Sequence, residues 1–107
     1  MNIPKVIETL INAQNSGDSQ IYANCFSDVA IVSDEGNTYT GRIEIKEWIE
    51  KAHKKYNMLM EPVKLEETAV SSVLSVKVTG TFPGSPAILK YHMKIKNELI
   101  DSLKITG

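Results

Sequence analysis

Cysteine is almost missing from this chain. Cys25 is the only one among 107 residues, which excludes an intramolecular disulfide and any multi-cysteine metal site. No apolar run approaches the roughly eighteen residues that a membrane-crossing helix needs. The first ten residues, Met1 to Leu10, are amphipathic and lack the basic start and apolar centre of a secretory leader, so the cytoplasm is the expected compartment. Neither sign of charge dominates. Twelve Lys+Arg against 13 Asp+Glu give a net charge of −1, which sets aside nucleic acid or a membrane surface as a partner held by bulk electrostatics. There is no glycine-rich phosphate loop, no G-x-G-x-x-G turn and no nucleophile-elbow string, so nucleotide binding and classical hydrolase chemistry have no local support. His53 and His92 lie far apart in sequence, and neither has a carboxylate or second histidine at ligand spacing. No metal and no cofactor are expected.

What is present is ordinary globular material, 42% hydrophobic and 23% charged, of a length that suits one compact domain over residues 1–107. Ile3, Val6, Ile7, Leu10 and Ile11 recur at helical spacing and predict an amphipathic helix over 3–15, with Pro4 in its first turn. Gly17 is placed to close it in the left-handed conformation. Asp18 reads as the N-cap of a short second helix over 18–26, with Ile21, Tyr22, Cys25 and Phe26 inward and Cys25 as a buried, inert thiol. Ala30-Ile31-Val32 has strand character and ends in an Asp34-Glu35-Gly36-Asn37 turn. A third helix over 42–56, capped at Gly41 with Glu44 three residues on, buries Ile45, Trp48, Ile49, Ala52 and Tyr56. After Asn57 the period shortens to two. Segments near 58–70, 72–82, 87–96 and 98–106 alternate as strands joined by short connections at Pro83–Pro86 and Lys96–Glu98. Helices followed by strands predict an α+β fold, with three N-terminal helices packed on a curved antiparallel sheet.

The order of these elements, together with Asn15-Ser16-Gly17-Asp18, the Phe26-Ser27-Asp28 corner and the Tyr39-Thr40-Gly41-Arg42-Ile43-Glu44-Ile45 lead-in to the third helix, resembles the nuclear-transport-factor-two-like (NTF2-like) superfamily. That group includes ketosteroid isomerases and SnoaL-like polyketide cyclases, and the resemblance covers the whole chain. It implies a cone-shaped, cystatin-like fold enclosing an apolar pocket, and a function as a cofactor-free isomerase or cyclase on a small apolar carbonyl compound. A non-catalytic small-molecule binder and a dimerisation or adaptor module are the alternatives.

The resemblance also points to particular residues. It places the general-base carboxylate at Asp34, where the plain reading is a solvated turn residue. The tyrosine donor of the isomerases' first helix falls on Leu10, which cannot donate, and their second donor falls on Tyr91, which alternation aims at the apolar face with Leu89 and Met93. Leu10, Trp48, Phe82 and Met93 are expected to line the pocket, with Trp48 and Tyr56 also packing on the sheet. Asp101 shares a predicted face with Leu99, Leu103 and Ile105 and could face either the pocket or a partner subunit, while Arg42 is expected on the surface. Apolar residues on both sheet faces, Val73 against Leu74 and Leu99 against Ile100, predict a homodimer through the outer face. A small apolar ligand is the expected occupant of the pocket.

Overall fold

The computed structural model describes residues 2–107. The chain runs α1 (Lys5–Ser16), α2 (Ser19–Asn24), β1 (Phe26–Asp34), β2 (Asn37–Thr40), α3 (Gly41–Tyr56), β3 (Leu59–Glu67), β4 (Ser72–Thr79), β5 (Ala87–Lys96) and β6 (Leu99–Thr106). Three helices pack on one side of a curved, open six-stranded sheet in the order β2-β1-β6-β5-β4-β3, an α+β architecture. Among the described residues no helix is long and apolar enough to cross a membrane.

Local chemistry sets the helix ends. The Pro4 carbonyl accepts from the N–H groups of Ile7 and Glu8, which makes Pro4 the cap of α1. At the other end Gly17 adopts φ 73°, and the Gly17 and Asp18 N–H groups reach back to Gln14 and Ala13, satisfying carbonyls that the helix leaves open. The Asp18 carboxylate accepts from the Ile21 N–H at 2.9 Å and starts α2. Ile21 itself points largely outward, in contrast to the expectation, and Ala23 takes the inward place beside Tyr22. The cap of α3 is Thr40, not Gly41: Glu44 accepts from the Thr40 N–H at 3.0 Å. Arg42 is not a free surface residue either, since its Nε donates to the Phe26 carbonyl at 2.8 Å and ties the start of α3 to β1. His53, Lys54 and Lys55 fill the last turn of α3, where positive charge complements the helix dipole.

Two tight turns organise the sheet. Glu35 and Gly36 (φ 51° and 78°) join β1 to β2, and Asn97 and Glu98 (φ 53° and 64°) join β5 to β6. Paired positive φ values match the twist of the flanking strands. The sheet is not wholly antiparallel, because β1 pairs parallel with β6. Irregular registers in β1, β3 and β6 add curvature. In β3 the break falls beside Pro62, on an edge strand where a missing N–H is tolerated. In β6 the register steps from Lys94↔Ser102 to Ile95↔Ile100, leaving Asp101 as the extra residue. The bulge lets Ile100 and Leu103 both enter the core, so the strict alternation that set Ile100 outside and Asp101 beside Leu103 fails there. Ile7, Leu10, Tyr22, Phe26, Val32, Ile45, Leu74 and Met93 meet in the core between the helices and the concave face.

Candidate functional site

The concave face and α3 enclose an open cavity of about 800 Å³. Asp34 reaches it because the two-residue turn holds it as the last paired residue of β1, opposite Asn37. Ala30, Val32 and Asp34 share the inward side of β1. The first two are fully buried and Asp34, at the strand's end, is half-buried at the cavity wall. Burial, followed by the neighbouring charge of Glu35, pushes the Asp34 carboxyl up to about 6, against a pull downward from a backbone hydrogen bond at Glu35.

Tyr91 lies on the concave side of β5, paired with Leu74 on β4 and Ile105 on β6, and is 4% exposed. It lines the same cavity. Burial raises its hydroxyl pKa first and the Asp34 charge raises it further, so the group is a protonated donor throughout the physiological range. The structure therefore brings Asp34 and Tyr91 to one cavity.

Aromatic rings build one wall. Trp48 of α3 stacks on Tyr39 with centroids 5.4 Å apart and meets Tyr22 edge-on at 6.2 Å. Tyr56 and Phe82 meet edge-on at 5.9 Å, with Phe82 at the cavity and the Thr81 N–H donating to the Tyr56 carbonyl at 2.7 Å. Trp48 and Phe82 thus both touch the cavity. Leu10 and Met93 do not: both point inward as their periodicity requires, but they lie deeper, sealed in the core with 0% and 1% exposure. Asp101 is also away from the cavity, displaced by its bulge, and accepts from the Ser27 hydroxyl at 2.9 Å.

The remaining reactive groups are separate from this site. Cys25 is buried, its thiol pushed up to about 11 by desolvation and directed to the Ile21 carbonyl at 3.4 Å. His53 packs against Gly17, and His92 shares a 2.9 Å hydrogen bond with Thr106. Among the described residues no group of three or more His, Cys, Asp or Glu side chains could hold a metal ion.

Gln14 and Tyr22 are buried in the core and do not line this cavity; the Tyr22 hydroxyl has no hydrogen-bond partner, and the Gln14 side chain lies by the Tyr91 hydroxyl. The sequence carried a signal for Gln14, which continues the α1 stripe of Ile7, Leu10 and Ile11 and is a polar residue at a core position.

No protein-family model and no curated protein matches the chain. Solved structures do. A protein from Sinorhizobium meliloti, provisionally named a polyketide cyclase, is 30% identical over 97% of this chain and 95% of its own, with a TM-score of 0.93. A protein from Catenulispora acidiphila with a ketosteroid isomerase-like fold, solved in complex with trimethylamine, superimposes with a TM-score of 0.88 at 17% identity, covering 99% of this chain and 87% of its own. An NTF2-like protein of unknown function from Cytophaga hutchinsonii gives a TM-score of 0.79 at 13% identity, over 94% of this chain and 85% of its own.

Proposed function

Because the chain belongs to the nuclear-transport-factor-two-like superfamily, we propose that its cone is a ligand pocket and that the protein is a cofactor-free isomerase or cyclase acting on a small apolar carbonyl compound. The observation that carries this reading is the pairing at one cavity of a half-buried carboxyl raised to about 6 with a buried tyrosine hydroxyl. A base with a pKa near neutrality is ionised at working pH yet strong enough to take a proton from carbon. In this mechanism the Asp34 carboxylate removes a proton from the carbon beside the carbonyl. The C–H electron pair becomes the enolate double bond, and the carbonyl oxygen gains the negative charge. Tyr91 donates a hydrogen bond to that oxygen. Protonated Asp34 then returns the proton, either to the same carbon or to one conjugated with it. In a cyclisation the enolate carbon instead attacks a second carbonyl, whose oxygen takes the proton.

The cavity is open, which argues against an adaptor whose cone is filled by its own side chains. Non-catalytic binding of a small apolar molecule is the second reading, favoured by one observation: the first-helix donor position is Leu10, fully buried and without a polar atom. Proton exchange separates the two. Cyclohexenone and related small ketones in D2O should gain deuterium beside the carbonyl faster with the protein than without it. The rate should rise as pH passes through about 6 and Asp34 ionises. Asp34→Asn should abolish the exchange without unfolding the protein, and Tyr91→Phe should raise the barrier by about 2–4 kcal/mol. Ligand-induced thermal stabilisation with no exchange on any ketone would leave binding as the function.

A further inference from the structure

The charges that α3 brings to the cavity are sorted by sign along the helix. Glu44 and Glu47 come from its first half, Lys51 and Lys55 from its second, and all four line the cavity. Spacings of three and four residues put them on one face. The first half of α3 lies over β1 and β2: Arg42 is bonded to the Phe26 carbonyl, and Trp48 stacks on Tyr39. Asp34 and Glu35, at the β1–β2 turn, add their carboxyl groups to that side. The far end of α3 meets the β4–β5 connection, where the Thr81 N–H donates to the Tyr56 carbonyl and Phe82 packs on Tyr56. Strand β6 runs between the two sides, so β1 and β5 stand about 10 Å apart. The cavity thus has an acidic rim over β1 and β2 and a basic rim toward β4 and β5.

The two lysines of the basic rim are uncommitted. Glu47 and Lys51 have the same spacing and orientation as Glu50 and Lys54, yet only the latter close into an ion pair, at 3.8 Å. Among the described residues neither Lys51 nor Lys55 takes part in an ion pair. Lys55 Nζ sits 5.1 Å from the centroid of the Tyr56 ring, which holds it toward the aromatic wall. Glu44, by contrast, already accepts from the Thr40 N–H.

We propose that Lys51 and Lys55 bind an anionic group, and that the ligand of this cavity is a carbonyl compound with an apolar body and a carboxylate at the end away from the carbonyl. The inference rests on the reading of the cone as a ligand pocket, and it applies whether or not the ligand is turned over. The basic rim attracts the carboxylate and the acidic rim repels it, so the charge pattern admits one orientation. The carboxylate stays at the mouth beside the lysines, and the carbonyl end points toward Asp34 and Tyr91. A cationic ligand would turn the other way and bring its charge to Asp34. There it would draw the Asp34 carboxyl down from about 6 and weaken it as a base, whereas an anion held at the lysines leaves it raised.

The test uses 4-acetylbenzoate, 4-acetylbenzamide and 4-acetylbenzylammonium, which share one ketone body and differ in the charge of the opposite end. Affinities would be measured by calorimetry for the wild type, for Lys51→Gln with Lys55→Gln, for Lys51→Arg with Lys55→Arg, and for Lys54→Gln. At about 50 mM salt the wild type should bind the acid about fivefold tighter than the amide, and the ammonium most weakly. At about 500 mM salt the preference should shrink as the charges are screened. The double Gln variant should lose the preference while its affinity for the amide stays within about twofold, and the double Arg variant should keep it. Lys54→Gln removes a charge from the same helix, at the residue already paired with Glu50, and should also keep it. All three lysines are exposed, so the variants should fold, which melts would verify. A double Gln variant that retains the preference would overturn the proposal, as would a Lys54→Gln that loses it equally. A wild type that favours the amide or the ammonium would overturn it and leave the pocket standing. One that binds none of the three would overturn it together with the pocket reading.

Discussion

Burial lifts the Asp34 carboxyl toward neutrality, and the same burial makes its charged form a burden on the fold. Its folded pKa of about 6 lies above the 3.8 of an ordinary aspartate, so the folded state holds the proton more tightly than the unfolded chain does. The stabilisation this provides is fully present below about pH 4 and is lost as pH rises through about 6. Asp34→Asn, which carries no charge to desolvate, should therefore gain on the wild type across that window. Melts at pH 4, 5, 6 and 7.5 should show the two proteins closest at pH 4, with the variant increasingly ahead up to about pH 7. A gap that does not change with pH would mean that Asp34 titrates as an ordinary carboxyl. At this scale the sequence was legible in direction but not in depth. The turn residues placed Asp34 at the end of a strand, and alternation aimed Tyr91 inward. The same rules aimed Leu10 and Met93 inward too, yet periodicity reports a side and not a distance from the surface, and both are sealed in the core. Gln14 is the polar member of the otherwise apolar α1 stripe, and its spacing alone gives its buried side but not its neighbours.

Between elements, Asn15 provides a cross-brace from α1 to β3. Its amide nitrogen donates to the Met60 carbonyl at 2.9 Å and its amide oxygen accepts from the Met60 N–H at 2.7 Å. Read as sequence, Asn15 belongs to the polar stop of a helix, and nothing local reveals a partner 45 residues away. Asn15→Ala removes both bonds and leaves a part-buried peptide unit unsatisfied, and should lower stability by about 2–3 kcal/mol in urea unfolding, with an unchanged m-value. The helices and the four strands after Asn57 were readable because a period of 3.6 gives way there to one of two, whereas β1 begins at Phe26, which the helical spacing had assigned to α2. Strand β2 was not, because Asn37–Thr40 is four residues long and merges with the lead-in to α3. The bulge at Asp101 was not either, since an inserted residue shows only against the strand it pairs with.

Taken as a whole, the molecule presents two unlike faces. The helical side is built around an apolar cone, whereas the outer side of the three adjacent inner strands β4, β5 and β6 carries Lys77, Lys90, Lys94 and Lys104 around half-buried His92. Ile100, counted on this face by alternation, is in the core, while Val73 and Ile88 remain on it between the lysines. Two copies docked face to face would oppose lysine to lysine. Such a dimer is therefore expected to tighten with salt as repulsion is screened, which sedimentation at about 50 and 500 mM salt would show. The parallel pairing of β1 with β6 bears on the order in which the fold can assemble. In the order β2-β1-β6-β5-β4-β3, β6 joins the early β1–β2 hairpin to the later three-stranded meander. On a ribosome, the first two helices and that hairpin would emerge with Phe26, Ala30 and Val32 uncovered and wait for Ile100 and Leu103, some seventy residues later, to be made. A nascent chain halted between β5 and β6 is thus expected to be a client for chaperones holding exposed apolar surface, and release of the last strand is the event that ends its dependence on them.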